Sequence, residues 1–283
     1  MRWIEPRREF RHARTFAPSY RKYTTPGRIA IGAVSALALL LLTLPLIVLA
    51  WEALAGRGWQ TTSAAQVLQA VGLSLLTTLI SAVLIILLGT PLAYVLARWP
   101  VPLHRAITVL IELPIVLPPA VAGLALLMTF GRQGFAGPLL ARFGISIPFT
   151  TAAVVLAQVF VAAPLFIRSA QVGFAAVDPA VEEAAQVDGA DGLTKFWRIT
   201  LPLAAPGLAA GLVLSWARAL GEFGATILFA GSLPGRTQTM PLLVYSAFER
   251  DLNAALWTAL ILIGLALAAL VLSRWLVGRQ SPI

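Results

Sequence analysis

The sequence has no cysteine, only two histidines and no nucleotide-binding loop, and each shortage excludes a class of protein. Without cysteine, the 283-residue chain can form neither disulfides nor a thiolate metal site. His12 and His104 lie far apart in charged stretches, so we expect this chain to bind no metal and no cofactor of its own. No glycine-rich segment ending in GK and Ser or Thr occurs, so the chain has no P-loop. We therefore expect no catalytic residues.

Charged side chains are also scarce. They make up 12% of the chain, against 59% hydrophobic residues and a mean hydropathy of +0.85. A chain of this length cannot hide so much apolar surface in a soluble core, whereas a lipid bilayer can accommodate it. The composition indicates an integral membrane protein.

Six apolar runs are long enough to cross about 30 Å of hydrocarbon as helices. They cover residues 29–51, 67–97, 106–130, 148–167, 203–229 and 254–275. The third run contains Pro114, Pro118 and Pro119, which remove backbone donors and are expected to bend it. The sequence thus predicts an all-α polytopic membrane protein with six transmembrane helices.

The distribution of basic residues predicts the orientation. With the N-terminus inside, fifteen of the 21 Lys and Arg residues fall in cytoplasmic segments and five in outer segments, while Arg218 lies within the fifth run. This bias places both termini in the cytoplasm. The predicted layout is a basic cytoplasmic tail over 1–28, a first helix and outer loop over 29–66, a five-helix core over 67–275 and a cytoplasmic tail over 276–283.

The basic tail also interleaves aromatic residues with its arginines, as a nucleic-acid-binding arm can do. Basic residues before a first span are what the positive-inside rule predicts, however, and each contributes roughly 1 kcal/mol near an anionic leaflet. We therefore expect the tail to contact membrane lipid and no nucleic acid.

Acidic residues concentrate in one short segment of this apolar chain. Five of the twelve acids lie there: Asp178, Glu182, Glu183, Asp188 and Asp191. The Asp-Pro pair at 178–179 is typical of a helix start, good helix formers follow, and Gly189 ends the pattern. We expect a helix, a turn and a second short helix on the cytoplasmic face, although an ordinary solvated loop would also explain the acids.

The same segment resembles the EAA loop of ABC importer permeases, whose signature is EAA, three residues, G, nine residues, I, one residue and LP. In that family the loop, here 174–202, is a coupling helix that docks on a separate ATPase subunit. The resemblance implies the type I ABC importer permease fold and assigns ATPase coupling to a set of residues. They are Glu182, Glu183, Ala184, Ala185, Gly189, Ile199, Leu201 and Pro202. The Glu183 carboxylate can accept hydrogen bonds either within the loop or across the interface.

The resemblance covers 67–275 and is closest to one branch of the family. The stretches ELPIVLPPAVAGLALLMTFGRQG, GISIPFTTAAVVLAQVFVAAPLFIRSAQVGF and WARALGEFGATILFAGSLPGRTQTMPLLVYSAFE are similar to molybdate/tungstate permeases of the ModB type, with sulfate/thiosulfate permeases as near relatives. The usual LGA after the EAA helix is DGA here, at 188–190, a departure that can alter docking on the ATPase.

This resemblance implies a permease subunit of an ATP-driven importer for a tetrahedral oxyanion, in the inner membrane of a prokaryote. Molybdate or tungstate is the expected solute, and sulfate or thiosulfate is the alternative. The implied partners are an ABC ATPase that holds ATP and Mg²⁺, and an extracytoplasmic oxyanion-binding protein. No internal repeat is apparent, so a second copy of the chain in a homodimer would complete the pathway. A secondary transporter is the alternative from another class.

Two charges fall inside the fifth run. Arg218 and Glu222 are four residues apart, so in one continuous helix they share a face, and an isolated charge costs about 2.5–3.5 kcal/mol at the bilayer centre. We expect them to pair, either to fix helix packing or to line the translocation pathway or gate, with Thr226 as a further gate candidate. Glu112 is expected on the cytoplasmic side, against the loops.

One segment after the fifth run, 231–253, is too polar to span the membrane. Together with the loop 132–143, it is expected to form the outer docking surface for the binding protein.

Overall fold

The structure, a computed structural model, describes residues 25–278, and within that range its regular elements are helical. The predicted basic tail lies outside the described residues up to position 24, as does the C-terminal tail beyond 278. The α-helices are α1 Thr25–Ala55, α2 Ala64–Arg98, α3 His104–Val116, α4 Pro119–Phe130, α5 Gly137–Arg142, α6 Thr151–Ala175, α7 Pro179–Val187, α8 Gly192–Lys195, α9 Leu201–Leu220, α10 Gly224–Ala230, α11 Met240–Phe248 and α12 Leu252–Gly278.

Six membrane spans are confirmed in this range if one broken helix pair counts as a span. Five segments are long and apolar enough to cross a bilayer, and α3 with α4 forms a sixth that is bent by 113°. The bend lies at Leu117 and Pro118, where the prolines predicted it. Proline removes a backbone donor and restricts the residue before it, so the two halves cannot continue as one helix.

Three expectations about the spans were wrong in detail. Helix α6 continues to Ala175, past the predicted end of the run at residue 167, and so includes Arg168, which the count of basic residues had assigned to a cytoplasmic segment. Glu112, which was expected against the loops, pairs with this arginine of α6, with 3.5 Å between Arg168 Nε and Glu112 Oε1. The fifth run is two helices, because α9 ends at Leu220 and α10 begins only at Gly224.

Of the described residues, those from Thr25 to Val48, which are most of α1, belong to one compact unit, and the second unit begins at Leu49. In the second unit α6 is central, with α2 and α9 packed along it. Where α6 and α9 cross, a Cβ on Gly207 would lie 2.6 Å from the Gly173 Cα, so only glycine allows this approach. The Ser169 hydroxyl donates a hydrogen bond of 2.8 Å to the Gly207 carbonyl across the same crossing.

The second unit has two ends that matter for function. Helices α7 and α8 lie at the end where α2 and α6 finish and α9 starts, and we call this the EAA side. The opposite end holds the loop 131–150 between α4 and α6 and the loop 231–239 between α10 and α11, and we call it the distal side.

Candidate coupling surface and intramembrane charge pair

The acidic segment forms the predicted helix, α7, with a cap at each end. Asp178 Oδ1 accepts a hydrogen bond of 2.9 Å from the Ala180 amide at the start. At the end, the Ala190 amide donates to the Ala185 carbonyl at 2.9 Å, and Gly189 has a φ of +89°. This left-handed exit is the Schellman arrangement, which glycine adopts without a Cβ penalty.

The second short helix, α8, begins directly after this turn. Asp191 Oδ1 accepts a hydrogen bond of 2.8 Å from the Thr194 amide. Hydrogen bonds from the Thr194 side chain and backbone lower the pKa of the Asp191 carboxyl, so this cap stays ionised at neutral pH. Helix α8 leads through a π-helical turn, Phe196–Thr200, straight into α9 without a loop.

The two neighbouring glutamates of α7 face different surroundings. The Glu182 side chain is 12% exposed and lies 3.4 Å from Arg98, at the end of α2. Its Oε1 also accepts a hydrogen bond of 2.5 Å from the Thr200 hydroxyl, just before α9. Glu182 therefore connects α7 to both α2 and α9.

Glu183, the glutamate of the EAA signature, points away from this cluster. It is exposed, and among the described residues its side chain makes no hydrogen bond or ion pair. Ala184 beside it is also exposed, whereas Ala185 is 9% exposed and faces inward. Of the two possibilities for Glu183, bonding within the loop is therefore not what the structure has.

Arg98 and Thr200 complete the cluster, and the sequence did not single them out. Arg98 also donates a hydrogen bond of 2.8 Å to the Val177 carbonyl, which fixes the chain just before α7. Arg98 is 84 residues from Glu182, so no short-range pattern could have linked the two. We call Arg98, Glu182 and Thr200 the tether cluster.

Aromatic rings pack about one helical turn from the tether cluster, since Tyr94 lies four residues before Arg98 and Phe196 four residues before Thr200. Tyr94 of α2 contacts Phe174 of α6 at a centroid distance of 5.4 Å and Phe196 at 5.1 Å. Phe196 also contacts Trp197 edge-on at 5.5 Å. Such edge-to-face pairs stabilise packing beyond the burial of apolar area alone. They fix the π-helical turn Phe196–Thr200 against α2 and α6.

The outward face of the segment is apolar as well as acidic. Val187 is 88% exposed, Leu193 68% and Trp197 59%. We call these three residues, together with Glu183 and Ala184, the coupling surface. The remaining signature residues lie where α9 starts: Ile199 and Leu201 are half-buried and Pro202 is exposed. Exposed large apolar side chains that lie together are typical of a protein interaction site.

Arg218 and Glu222 do pair, at 2.5 Å between Nη1 and Oε2, but they do not share one helix. Glu222 lies in the break between α9 and α10, and its Oε1 accepts a hydrogen bond of 2.8 Å from the Ala225 amide. Its side chain is 1% exposed, while that of Arg218 is 33% exposed. The Glu222 carboxylate thus accepts a hydrogen bond from a backbone amide in the first turn of α10, and the Arg218 guanidinium neutralises its charge.

Thr226 is fully buried in α10, and its hydroxyl has no hydrogen-bond partner among the residues that the structure describes. In this conformation it therefore lines no open surface. Within the described part of the chain, no group of three or more His, Asp or Glu side chains could hold a metal ion.

Comparison with known families decides the class. Residues 88–282 match the family described as "Binding-protein-dependent transport system inner membrane component". The chain belongs to this family. It is accordingly a multi-pass inner-membrane permease component, in agreement with its helical spans.

Individual relatives of this permease narrow the branch. The molybdenum transport system permease protein ModB of Mycobacterium bovis is 45% identical over 240 residues, which are 85% of this chain and 89% of the relative. The sulfate transport system permease protein CysW of Synechococcus elongatus is 39% identical over 219 residues, 76% of this chain and 77% of the relative.

The fold agrees with a solved permease. A bacterial ABC transporter involved in the import of the acidic polysaccharide alginate superposes with a TM-score of 0.71, covering 90% of this chain and 97% of that chain at 18% identity. This likeness confirms the ABC importer permease fold predicted from the EAA signature.

Proposed function

We propose that this chain is the permease subunit of an ATP-driven importer for molybdate or tungstate. The identity of 45% to a ModB permease, over most of both chains, supports this solute class. The lower identity to CysW, 39%, makes sulfate or thiosulfate the second candidate. Membership of a binding-protein-dependent family argues against a secondary transporter.

The observation that carries the coupling role is the two-sidedness of α7. Its inner face is tied to α2 and α9 through Glu182, while Glu183 and Ala184 face outward without partners. A short capped helix held in this way can transmit a displacement to the spans. The coupling surface docks on a separate ABC ATPase, which holds ATP and Mg²⁺, so this chain is not itself the enzyme.

This function sets the orientation of the protein. The EAA side is cytoplasmic and the distal side faces outward, as the excess of Lys and Arg in the inner segments favours. Both termini then lie in the cytoplasm. On the distal side, Phe135 is 95% exposed and Phe143 74% exposed, which supports docking of the binding protein on the segments 132–143 and 231–253, which include α5 and α11.

A second copy of the chain completes the pathway. At the bend between α3 and α4, Val116 is 80% exposed and Pro118, Pro119 and Ala120 are exposed too. Non-helical backbone at membrane depth is tolerated only where protein or water covers it. A homodimer with an aqueous path at the interface would cover this bend in both copies.

The Arg218–Glu222 pair then serves as a clamp in a broken span. A carboxylate lining the pathway would repel an oxyanion, but Glu222 is buried and neutralised. The clamp fixes the angle between α9 and α10. This joint lies next to the bend between α3 and α4, because a Cβ on Gly224 would lie 2.6 Å from the Pro119 Cβ. Movement of α9 by the ATPase would reach the gate through this joint, with Thr226 as a buried neighbour.

The test is solute uptake by proteoliposomes that contain the permease, its ATPase and its binding protein. We expect ATP-dependent uptake of radiolabelled molybdate, competed by tungstate and much less by sulfate. Competition by sulfate at equal strength would favour the sulfate alternative. Uptake driven by an ion gradient without the ATPase would contradict the proposal.

A further inference from the structure

The distal side contains a cavity of about 550 Å³ that three separate elements enclose. Leu127 of α4 and Arg132, which follows α4, form one wall. Ser146 and Thr150, just before α6, form the second, and Arg236 in the loop 231–239 forms the third. We call this the distal cavity. Its position at the mouth of the bundle places it where a solute would enter.

Hydrogen bonds hold the walls of the distal cavity together. The Thr151 hydroxyl donates to the Arg236 carbonyl at 2.9 Å, which joins α6 to the loop 231–239. The Phe149 amide donates to the Phe229 carbonyl at 3.3 Å, which joins the chain just before α6 to α10. The cavity is therefore built into the fold, not created by one mobile loop.

Backbone strain marks the same wall. Phe149, which lines the cavity, has a φ of +62°, a left-handed conformation that bulky residues rarely adopt. Strained residues of this kind cluster at ligand sites and persist where the surroundings fix them. Here the surrounding contacts include Gly231, whose own φ is +69° and whose Cβ position lies 3.1 Å from the Phe149 ring.

The charge of the cavity is one-sided. Arg132 and Arg236 line it, and no carboxylate does. Three other arginines, Arg98, Arg168 and Arg218, each pair with a glutamate. Among the described residues, neither Arg132 nor Arg236 has such a partner, and both are exposed. Two unpaired guanidinium groups in one cavity form a site for an anion with several oxygen atoms.

We propose that the distal cavity is a transient binding site for the transported tetrahedral oxyanion, between its release from the binding protein and its entry into the pathway. The inference rests on the proposed function, which supplies a dianionic solute. Arg132 and Arg236 donate to its oxygens, and the Ser146 hydroxyl lines the same cavity. The cavity is larger than a bare oxyanion, so water completes its shell. Such a site is weak, as a transit site must be if the solute is to leave it.

The same chemistry has a second source, a carboxylate on the binding protein. The two sources can be separated with cysteine labelling, because the chain has no cysteine of its own. Ser146→Cys places one thiol in the cavity, and Gln60→Cys places one on the distal side outside it. The probe is an anionic thiosulfonate reagent, applied to the permease and ATPase complex in nanodiscs without binding protein, with molybdate or chloride at equal ionic strength.

We expect molybdate, and not chloride, to slow labelling of Ser146→Cys several-fold and to leave Gln60→Cys unaffected. Adding Arg132→Gln or Arg236→Gln should weaken the protection roughly tenfold in molybdate concentration, as expected for one lost charge-assisted hydrogen bond. Arg57→Gln, which removes a distal arginine outside the cavity, should not weaken it.

Three results would overturn the inference. The first is that molybdate does not protect Ser146→Cys, and the second is that protection persists when Arg132 and Arg236 are both replaced by Gln. The third is protection only when the binding protein is added, which would assign the cavity to a carboxylate of that protein. Failure of the proposed function would be seen in a different measurement, because proteoliposomes with the wild-type permease would then take up no molybdate at all. Normal uptake without protection of Ser146→Cys would reject the cavity site alone.

Discussion

An arginine–glutamate cluster lies at each end of helix α9, and the two clusters differ in the elements they join and in their burial. The tether cluster at the start joins α2, α7 and the turn before α9, and its charged side chains are 15% and 12% exposed. The clamp at the end is local, joins α9 to α10, and buries its glutamate to 1%. One cluster lies against the helix that we propose contacts the ATPase, and the other lies in a broken span.

This difference separates coupling from folding. Removing one partner of a desolvated pair leaves a buried charge, which costs more than removing both. A pair that keeps some contact with water loses less, so its loss can change how helices move together without preventing their assembly. The clamp should therefore affect stability most, whereas the tether cluster should affect stability less and transmission as well.

The largest effect is expected at the clamp. Arg218→Ala leaves the Glu222 carboxylate unpaired in a buried site, and we expect a loss of about 3 kcal/mol in stability. The yield of monodisperse permease in size-exclusion chromatography should fall sharply. Arg218→Met combined with Glu222→Gln should recover most of that yield, because no charge is then stranded.

Uptake by this double variant decides what the clamp does. Recovery of both yield and molybdate uptake would mean that the pair only stabilises the broken span. Recovery of yield without uptake would place the pair at the gate. If Arg218→Ala alone proves harmless, the burial of Glu222 does not have the consequence we assign to it.

A smaller effect is expected at the tether cluster. Glu182→Ala removes the partner of Arg98 and of the Thr200 hydroxyl, and about 2 kcal/mol is the expected loss for hydrogen bonds to a charged group. Thermal unfolding should shift downward and ATP-driven uptake should fall. Glu183→Ala is the matched control one residue away, because its side chain has no described partner.

The two glutamates should therefore separate two measurements. Glu183→Ala should leave the unfolding temperature unchanged and weaken copurification of the ATPase. The reverse pattern, with Glu183→Ala destabilising the permease and Glu182→Ala only releasing the ATPase, would contradict the two-sided account of α7.

The exit from α7 should be less sensitive in energy but specific in function. Gly189→Val forces a β-branched residue to a φ of +89°, at a cost of roughly 1–2 kcal/mol, although the space around it is open. We expect the permease to remain in the membrane and to lose ATPase copurification. Gly192→Val is the control, since that position is equally open and has no positive φ. Equal effects of both changes would show that bulk matters and not the backbone conformation.

The smallest effect concerns pH. The pKa of Asp191 is lowered by its hydrogen bonds with Thr194, so its capping contribution is complete above the ordinary value of 3.8 and is lost only as pH falls through the lowered value. ATPase binding should therefore show no titration from this group between about pH 5 and 8. Asp191→Asn should reproduce the neutral-pH binding closely, and a marked loss would assign Asp191 a direct contact with the ATPase.

The sequence predicted the local features of both clusters and none of the distant ones. Asp178, Pro179 and Gly189 act within a few residues of where they lie, so the bounds of α7 could be inferred from capping chemistry alone. The Arg218–Glu222 contact was also local, but its setting was not foreseen, because hydropathy cannot show that α9 stops before Glu222. The contact of Arg98 with Glu182 depends on how α2 and α6 pack, and that information is spread over the whole core.

The same limit applies to the distal cavity. The sequence shows that Arg132 and Arg236 are basic and places them in predicted outer segments, but only the fold brings residues 104 positions apart to one cavity. Conversely, the EAA spacing indicated the family from the sequence, because all its positions lie within the short stretch from Glu183 to Pro202 and their spacing can be read without the fold.

The most direct test of the account is whether the outward face of α7, and not its inward face, meets the ATPase. In the cysteine-free chain, Val187→Cys lies on the coupling surface, where the native side chain is 88% exposed, and Ala185→Cys lies inward, at 9%. With a reagent that carries a maleimide at one end and a photoreactive group at the other, the purified transporter complex should give a covalent product between Val187→Cys and the ATPase subunit on illumination, and Ala185→Cys should not. A product from Ala185→Cys alone, or from neither variant in a complex that still hydrolyses ATP, would contradict the account.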